Sequence, residues 1–283
     1  MTQLETATLA GHRVNLAADQ WHSLTGDRGR PEVILLHGGG QTRASWKGTG
    51  RRLAEAGWTT CAVDARGHGD SDWPTDRDYS TDALARDVYA LATSRAVPPV
   101  LVGASMGGHA ALIAIGENPG IASGLVLVDI AVTPSPAGLE RIHEFMRNGL
   151  AGFDTVEDAA SAVAAYNPHR AAPPKPDGLL RNLRERDGRW YWHWDPAFIE
   201  HGPRGEQDRQ IRAREAAQQI TVPTLLVKGA QSDIVTTDAA HEIQQLIPHS
   251  TFVEVGGTGH MVSGDDNDAF ATAVLGFLAE LHR

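Results

Sequence analysis

Short, continuously apolar runs separated by stretches of helical period constrain this chain more than any other feature it has. Val33-Ile34-Leu35-Leu36, Thr59 to Asp64, Val100-Leu101-Val102-Gly103 and Gly124 to Asp129 are each of strand length and bounded by turn residues. Between them, Trp46 to Ala56 and Thr81 to Ser94 carry helical spacing, the second behind a candidate N-cap at Ser80. Strands that are apolar on both faces need cover on both faces, and intervening helices supply it. The pattern predicts an α/β fold, with a mostly parallel central sheet covered by helices on both sides.

The alternation breaks after Asp129. From about Ala131 to Gln219 there is no strong strand run. Amphipathic helical pieces take its place, with a Pro-rich turn (Pro173-Pro174-Lys175-Pro176) and the aromatic cluster Trp190-Tyr191-Trp192-His193-Trp194. Apolar runs resume at Thr224 to Lys228 and Thr251 to Val255, and a last helix spans about Asp268 to Leu281. The expectation is a core formed by residues 1–130 and 220–283, with residues 131–219 inserted as a helical cap near the carboxyl end of the sheet. Four large aromatics within five consecutive positions cannot all face one way. Some must pack the cap, leaving others to line a largely apolar pocket.

Composition narrows the function classes. The chain has 283 residues, and its formal net charge of −10 argues against nucleic-acid binding, which needs a concentrated basic surface. The short basic stretches Arg181–Arg189 and Arg209–Arg214 read as solvated helix faces. Cys61, the single cysteine, sits in an apolar run and reads as a small core residue. The first residues lack a basic region followed by an apolar stretch, and no segment is apolar for the length of a bilayer. A cytoplasmic protein acting on a small molecule, with no membrane partner, is the expectation. Oligomeric state is not legible.

The chemistry concentrates in Gly103-Ala104-Ser105-Met106-Gly107, a G-x-S-x-G directly after an apolar strand and directly before a helix. Small neighbours let the chain turn sharply and present a hydroxyl, while the helix N-terminus faces charge developing there. Four further segments accompany it: His37-Gly38-Gly39-Gly40, Asp64-Ala65-Arg66-Gly67-His68-Gly69-Asp70-Ser71, Gly229-Ala230-Gln231-Ser232-Asp233 and Gly257-Thr258-Gly259-His260-Met261-Val262. With these in register, the chain from about Val33 to Leu281 resembles the α/β-hydrolase fold family, in particular its compact capped bacterial members.

That resemblance implies a catalytic triad in the chain order Ser105, Asp233, His260. Ser105 is the nucleophile and His260 its general base; of 13 histidines only His260 follows the last strand in a Gly-rich loop. Asp233 would fix the imidazole tautomer, with Asp129, at the end of the strand before the cap, as its rival. Asp265 and Asp266 read as caps of the last helix. The oxyanion hole would come from the backbone N–H groups of Met106 and Gly39. In the cap, Trp192, Trp194 and His193 are the candidate substrate-binding residues. Serine at position 105 sets the chain apart from the epoxide hydrolases and haloalkane dehalogenases, which carry aspartate there. No H-E-x-x-H pair or P-loop is present, so neither metal nor cofactor is called for. Hydrolysis of a carboxylic ester or lactone with a hydrophobic portion is the favoured reading. Carbon–carbon hydrolysis of a diketone, cofactor-free perhydrolysis and a receptor with little turnover stay open.

Overall fold

The computed structural model describes residues 4–23, 29–166, 176–200, 205–256 and 268–281. Ten strands appear among them: β1 (Leu4–Ala10), β2 (Asn15–Trp21), β3 (Val33–Leu36), β4 (Thr60–Val63), β5 (Val100–Ala104), β6 (Gly124–Val128), β7 (Leu183–Arg186), β8 (Arg189–Trp192), β9 (Thr224–Gly229) and β10 (Thr251–Val255). The helices are α1 (Lys47–Glu55), α2 (Thr81–Thr93), α3 (Met106–Glu117), α4 (Pro136–Asn148), α5 (Val156–Tyr166), α6 (Pro176–Leu179), α7 (Pro196–Glu200), α8 (Glu206–Gln218), α9 (Thr237–Leu246) and α10 (Asp268–Glu280). Ser80 caps α2 as its side chain accepts from Ala83 N–H.

Eight strands form one sheet in the order β1-β2-β4-β3-β5-β6-β9-β10. From β4 to β10 the pairings are parallel; the β1–β2 hairpin joins β4 antiparallel. Successive side chains of the central strands go to opposite faces, as the pleat dictates. Ile34, Leu36 and Leu101 enter the cluster beneath α2 and α3, whereas Val33, Leu35, Val100 and Val102 enter the one beneath α1 and α10. Complete burial on both faces explains why these strands read as unbroken apolar runs. Each Leu or Ile so buried contributes about 2 kcal/mol. Cys61 is buried among them, and burial pushes its thiol up to about 12, so it is an inert core group.

Two features of residues 131–219 differ from the expected helical cap. The segment Leu183–Trp192 is an antiparallel ribbon, turned by Asp187 and Gly188 at φ 51° and 74°. Positive φ at both central residues is the two-residue turn that suits strand twist, and Asp-Gly is a preferred pair for it. At the other end, Ala213, Ala216 and Ala217 of α8 pack into the core against α3. A Cβ at Gly116 would meet the backbone of Ala216, so the two helices cross closely. Arg212 of the same helix pairs with Asp82 and Glu117, and Arg214 with Glu242. That basic stretch ties helices together; it is more than a solvated face. The elements with their own cluster above the sheet are α4 to α6 and the ribbon, centred on Met146, Leu179, Leu183, Trp192 and Trp194. Among the described residues no helix is long and apolar enough to cross a membrane.

Candidate active site

Ser105 stands between β5 and α3 with φ 44° and ψ −112°. A non-glycine residue rarely takes such a backbone, which costs on the order of 1–3 kcal/mol and persists only where the surroundings enforce it. The enforcement is visible. Ser105 N–H donates to Val128 O (3.0 Å), and Gly107 N–H donates to His37 O (3.2 Å). A Cβ at Gly103 would lie 2.6 Å from Gly107 O and from the Gly108 backbone; one at Gly107 would lie 2.6 Å from Leu36 O. Only glycine allows strand, turn and helix to approach so closely.

The loop after β3 faces this turn. A Cβ at Gly38 would stand 3.4 Å from Ser105 Cβ. Nearly every polar group of the loop is committed. Gly38 N–H donates to Gln41 Oε1 (3.0 Å), and Gln41 N–H returns to Gly38 O (3.1 Å). Gly40 N–H donates to His68 Nε2 (3.2 Å), and Gly40 O accepts from His193 Nε2 (3.3 Å). Within Gly38–Gln41, Gly39 N–H is the amide left without an acceptor among the described residues. Met106 N–H opens α3, where no intrahelical acceptor exists, and it too has none among the described residues. These are the two amides expected from the sequence.

Three buried histidines hold the surrounding loops, with ring centroids 5.3 Å (His37–His68) and 5.7 Å (His68–His193) apart. His37 Nδ1 donates to Gly38 O and its Nε2 accepts from Ala65 N–H. His68 Nδ1 donates to Arg66 O, and its Nε2 takes the Gly40 N–H. His193 Nδ1 accepts from Gly69 N–H, while Nε2 donates to Gly40 O. Each ring thus has one donating and one accepting nitrogen, which is the neutral imidazole. Burial agrees, pushing His37 down to about 4, His68 to about 3, and His193 well below the ordinary value. His193 was expected at the substrate. It lies behind the cavity wall, 1% exposed, with both nitrogens engaged by backbone.

The expected acids occupy different surroundings. Asp129, 1% exposed and at φ 48°, accepts from Gly229 N–H (2.9 Å) and Ser232 Oγ (2.6 Å), and it borders the same cavity as Ser105. Asp233 follows β9 and pairs with Arg141 of α4 at 2.5 Å. His260, Asp265 and Asp266 lie outside the described residues. His109, one turn into α3, sets its ring between Ser105 O (3.1 Å) and Ala131 O (2.9 Å), a packing position bridging the turn and the segment after Asp129.

A cavity of about 680 Å³ opens over Ser105, roofed by the region above the sheet. That is ample for a small organic substrate. Trp192 and Trp194 line it, their rings stacked with centroids 5.1 Å apart. Along β8 the even-numbered aromatics share the inner face, while Tyr191 points away and lies beneath Arg186. Sequence reasoning did not single out Arg209, which also lines the cavity. It pairs with Glu206, but its Nε is buried without an acceptor among the described residues, and burial lowers its pKa.

The chain is similar to known proteins along most of its length. A chain similar over 92% of the present one and 84% of its own length is the sn-1-specific diacylglycerol lipase ABHD11 of Mus musculus, 29% identical over 276 residues. Esterase Rv0045c of Mycobacterium tuberculosis is 30% identical over 263 residues, covering 88% of this chain and 83% of that one. Among solved structures, E-2-(acetamidomethylene)succinate hydrolase superposes with a TM-score of 0.82 at 22% identity, covering 98% of this chain and 100% of that one. The family model for the alpha/beta hydrolase fold matches residues 31–266. The chain belongs to the α/β-hydrolase family.

Proposed function

We propose that the protein is a serine hydrolase of carboxylic esters or lactones carrying a hydrophobic portion, working through an acyl-enzyme on Ser105. His260 takes the Ser105 proton as the oxygen attacks the carbonyl carbon. The carbonyl oxygen becomes an oxyanion that accepts from Gly39 and Met106 N–H. Collapse expels the alcohol, which receives the proton from His260. Water then repeats the sequence on the acyl-enzyme and releases the acid. The observation that carries this reading is the strained Ser105 backbone with two uncommitted amides beside it. The esterase and lipase relatives support the same class.

Asp233 is the orienting acid in this reading. It follows β9, the neighbour of β10, after which the chain leads to His260. Asp129 is the competitor, at the end of β6. A panel of p-nitrophenyl esters, lactones and ring-cleavage diketones, run on wild type and Ser105→Ala, tests the class. Ester or lactone turnover lost in the variant supports the proposal; turnover of diketones alone sinks it. Asp129→Asn costing more than Asp233→Asn would transfer the acid role.

A substrate that also bears a carboxylate is a second reading, favoured by Arg209. A buried guanidinium nitrogen on a cavity wall, without an acceptor among the described residues, invites an anionic one. The related hydrolase from Mesorhizobium japonicum is named for a succinate. Esters ending in a carboxylate should have lower KM than neutral ones, and Arg209→Gln should erase that difference. Equal KM values in wild type would dispose of this reading.

A further inference from the structure

We propose that His193, a residue of the region above the sheet, is a positioning residue for the oxyanion hole, acting through Gly40 on the Gly39 amide. The proposal rests on the Gly39 assignment made above.

Gly40 sits at φ 73° and is gripped from three sides. His68 Nε2 accepts its N–H, His193 Nε2 donates to its carbonyl, and a Cβ at Gly40 would lie 3.2 Å from the Trp194 ring. A glycine held at both its N–H and its carbonyl has each of its two flanking peptide planes tied by a bond that rotation would break. The Gly39–Gly40 peptide is therefore anchored on one side and the Gly40–Gln41 peptide on the other. Gly39 N–H, one residue upstream, inherits its direction from that anchorage and from the Gly38–Gln41 bonds. Of the two rings that grip Gly40, His68 comes from the core and His193 from above it.

His193 itself is not free to drift. Its Nδ1 accepts from Gly69 N–H at 2.8 Å. Two residues on, Asp195 N–H donates to Gly67 O, and Tyr79 Oη donates to Asp195 Oδ2 at 2.7 Å. On either side, Trp192 and Trp194 line the cavity while His193 turns away from it. One short segment thus presents substrate-facing aromatics and, between them, the ring that fixes the amide loop. Displacement of that segment would loosen substrate contact and oxyanion geometry together.

Two substitutions separate the ring's two bonds. His193→Asn keeps an acceptor at the Nδ1 position for Gly69 but has no donor reaching Gly40. His193→Gln keeps a donor at the Nε2 position. On an ester that wild type turns over, the Asn variant should lose about 10- to 100-fold in kcat with KM within about twofold, less than removal of an oxyanion donor itself. The Gln variant should stay within about fivefold of wild type. The rate of Ser105 phosphonylation by a fluorophosphonate should fall in parallel with kcat, and the two variants should have similar Tm. Equal losses in both variants, a loss confined to KM, or losses that track Tm would overturn the proposal. If neither variant folds, ¹⁵N-histidine NMR on wild type decides: a neutral Nε2–H ring at position 193 is required, and an Nδ1–H or charged ring overturns it. Failure of the serine mechanism looks different, because Ser105→Ala would then retain turnover and wild type would not label at Ser105.

Discussion

The two sides of the cavity are held in place by different forces. On the core side, the turn at Ser105 and the Gly38–Gln41 loop are fixed by directional bonds between backbone groups and neutral imidazole or amide side chains. Above, the wall is fixed by packing: Trp192 against Trp194, Phe153 edge-on to Trp192 at 5.2 Å, and Phe145 stacked on Tyr166 at 4.6 Å. Directional bonds set positions to a fraction of an ångström, as charge stabilisation requires. Packing sets a shape and a size, and it degrades gradually when a ring shrinks. On this division, substitutions among the hydrogen-bonded groups, His193 included, should act on rate, and those among the packed aromatics above should act on choice of substrate.

The largest test is Ser105→Gly. Activity should fall by at least about 10³-fold, leaving what the oxyanion amides and binding supply. Glycine at φ 44° also relieves the backbone, so Tm should stay level or rise. A drop in Tm would mean that the turn is not strained.

Next in size is Gly103→Ala. The new methyl meets three backbone atoms at 2.6 Å, none of them a flexible side-chain end. We expect a loss of about 3 kcal/mol or more in urea denaturation, or no soluble protein. A variant of wild-type stability would show that β5 and α3 separate easily.

Acid comes third. The folded pKa values of His37 and His68 lie below the ordinary 6.5, so the unfolded chain takes up protons first as pH falls. Stability should be full above about pH 6.5 and decline from there towards pH 4, by about 3 kcal/mol from His37 alone. Denaturation midpoints measured between pH 7.5 and 4.5 check this; a flat profile would contradict neutral rings.

The smallest effect is expected from Trp194→Leu. Ester preference should shift towards bulkier acyl groups by about tenfold in relative kcat/KM, with kcat on the best substrate within a few-fold. A uniform loss across the panel would assign the ring to the lower side of the comparison, through its contact with Gly40.

What could be read from sequence follows the same division. The β3, β5 and β6 runs were legible because burial on both faces leaves no polar residue to break the pattern. The Ser105 turn was legible because steric crowding dictates glycine at 103 and 107. The β1–β2 hairpin escaped notice because no residue of β1 is fully buried and Glu5, Thr6 and Thr8 interrupt its few apolar positions. The β7–β8 ribbon carried an Asp-Gly turn signal, but Arg184, Glu185 and Arg186 masked its alternation. His193 was legible as a polar residue among the aromatics, but its burial away from the cavity was not, since its partners Gly40 and Gly69 are 153 and 124 positions away.

The lone pairs of the histidine trio are already in use. Three imidazoles in a row, with His68 within 6 Å of both His37 and His193, have the composition of a transition-metal site. A metal needs an unshared electron pair on a ring nitrogen. In His37, His68 and His193 that pair is already given to the N–H of Ala65, Gly40 and Gly69 respectively. A divalent ion entering here would have to strip three backbone amides of their acceptors. The cluster should therefore leave nickel and zinc in solution, however inviting its count of nitrogens.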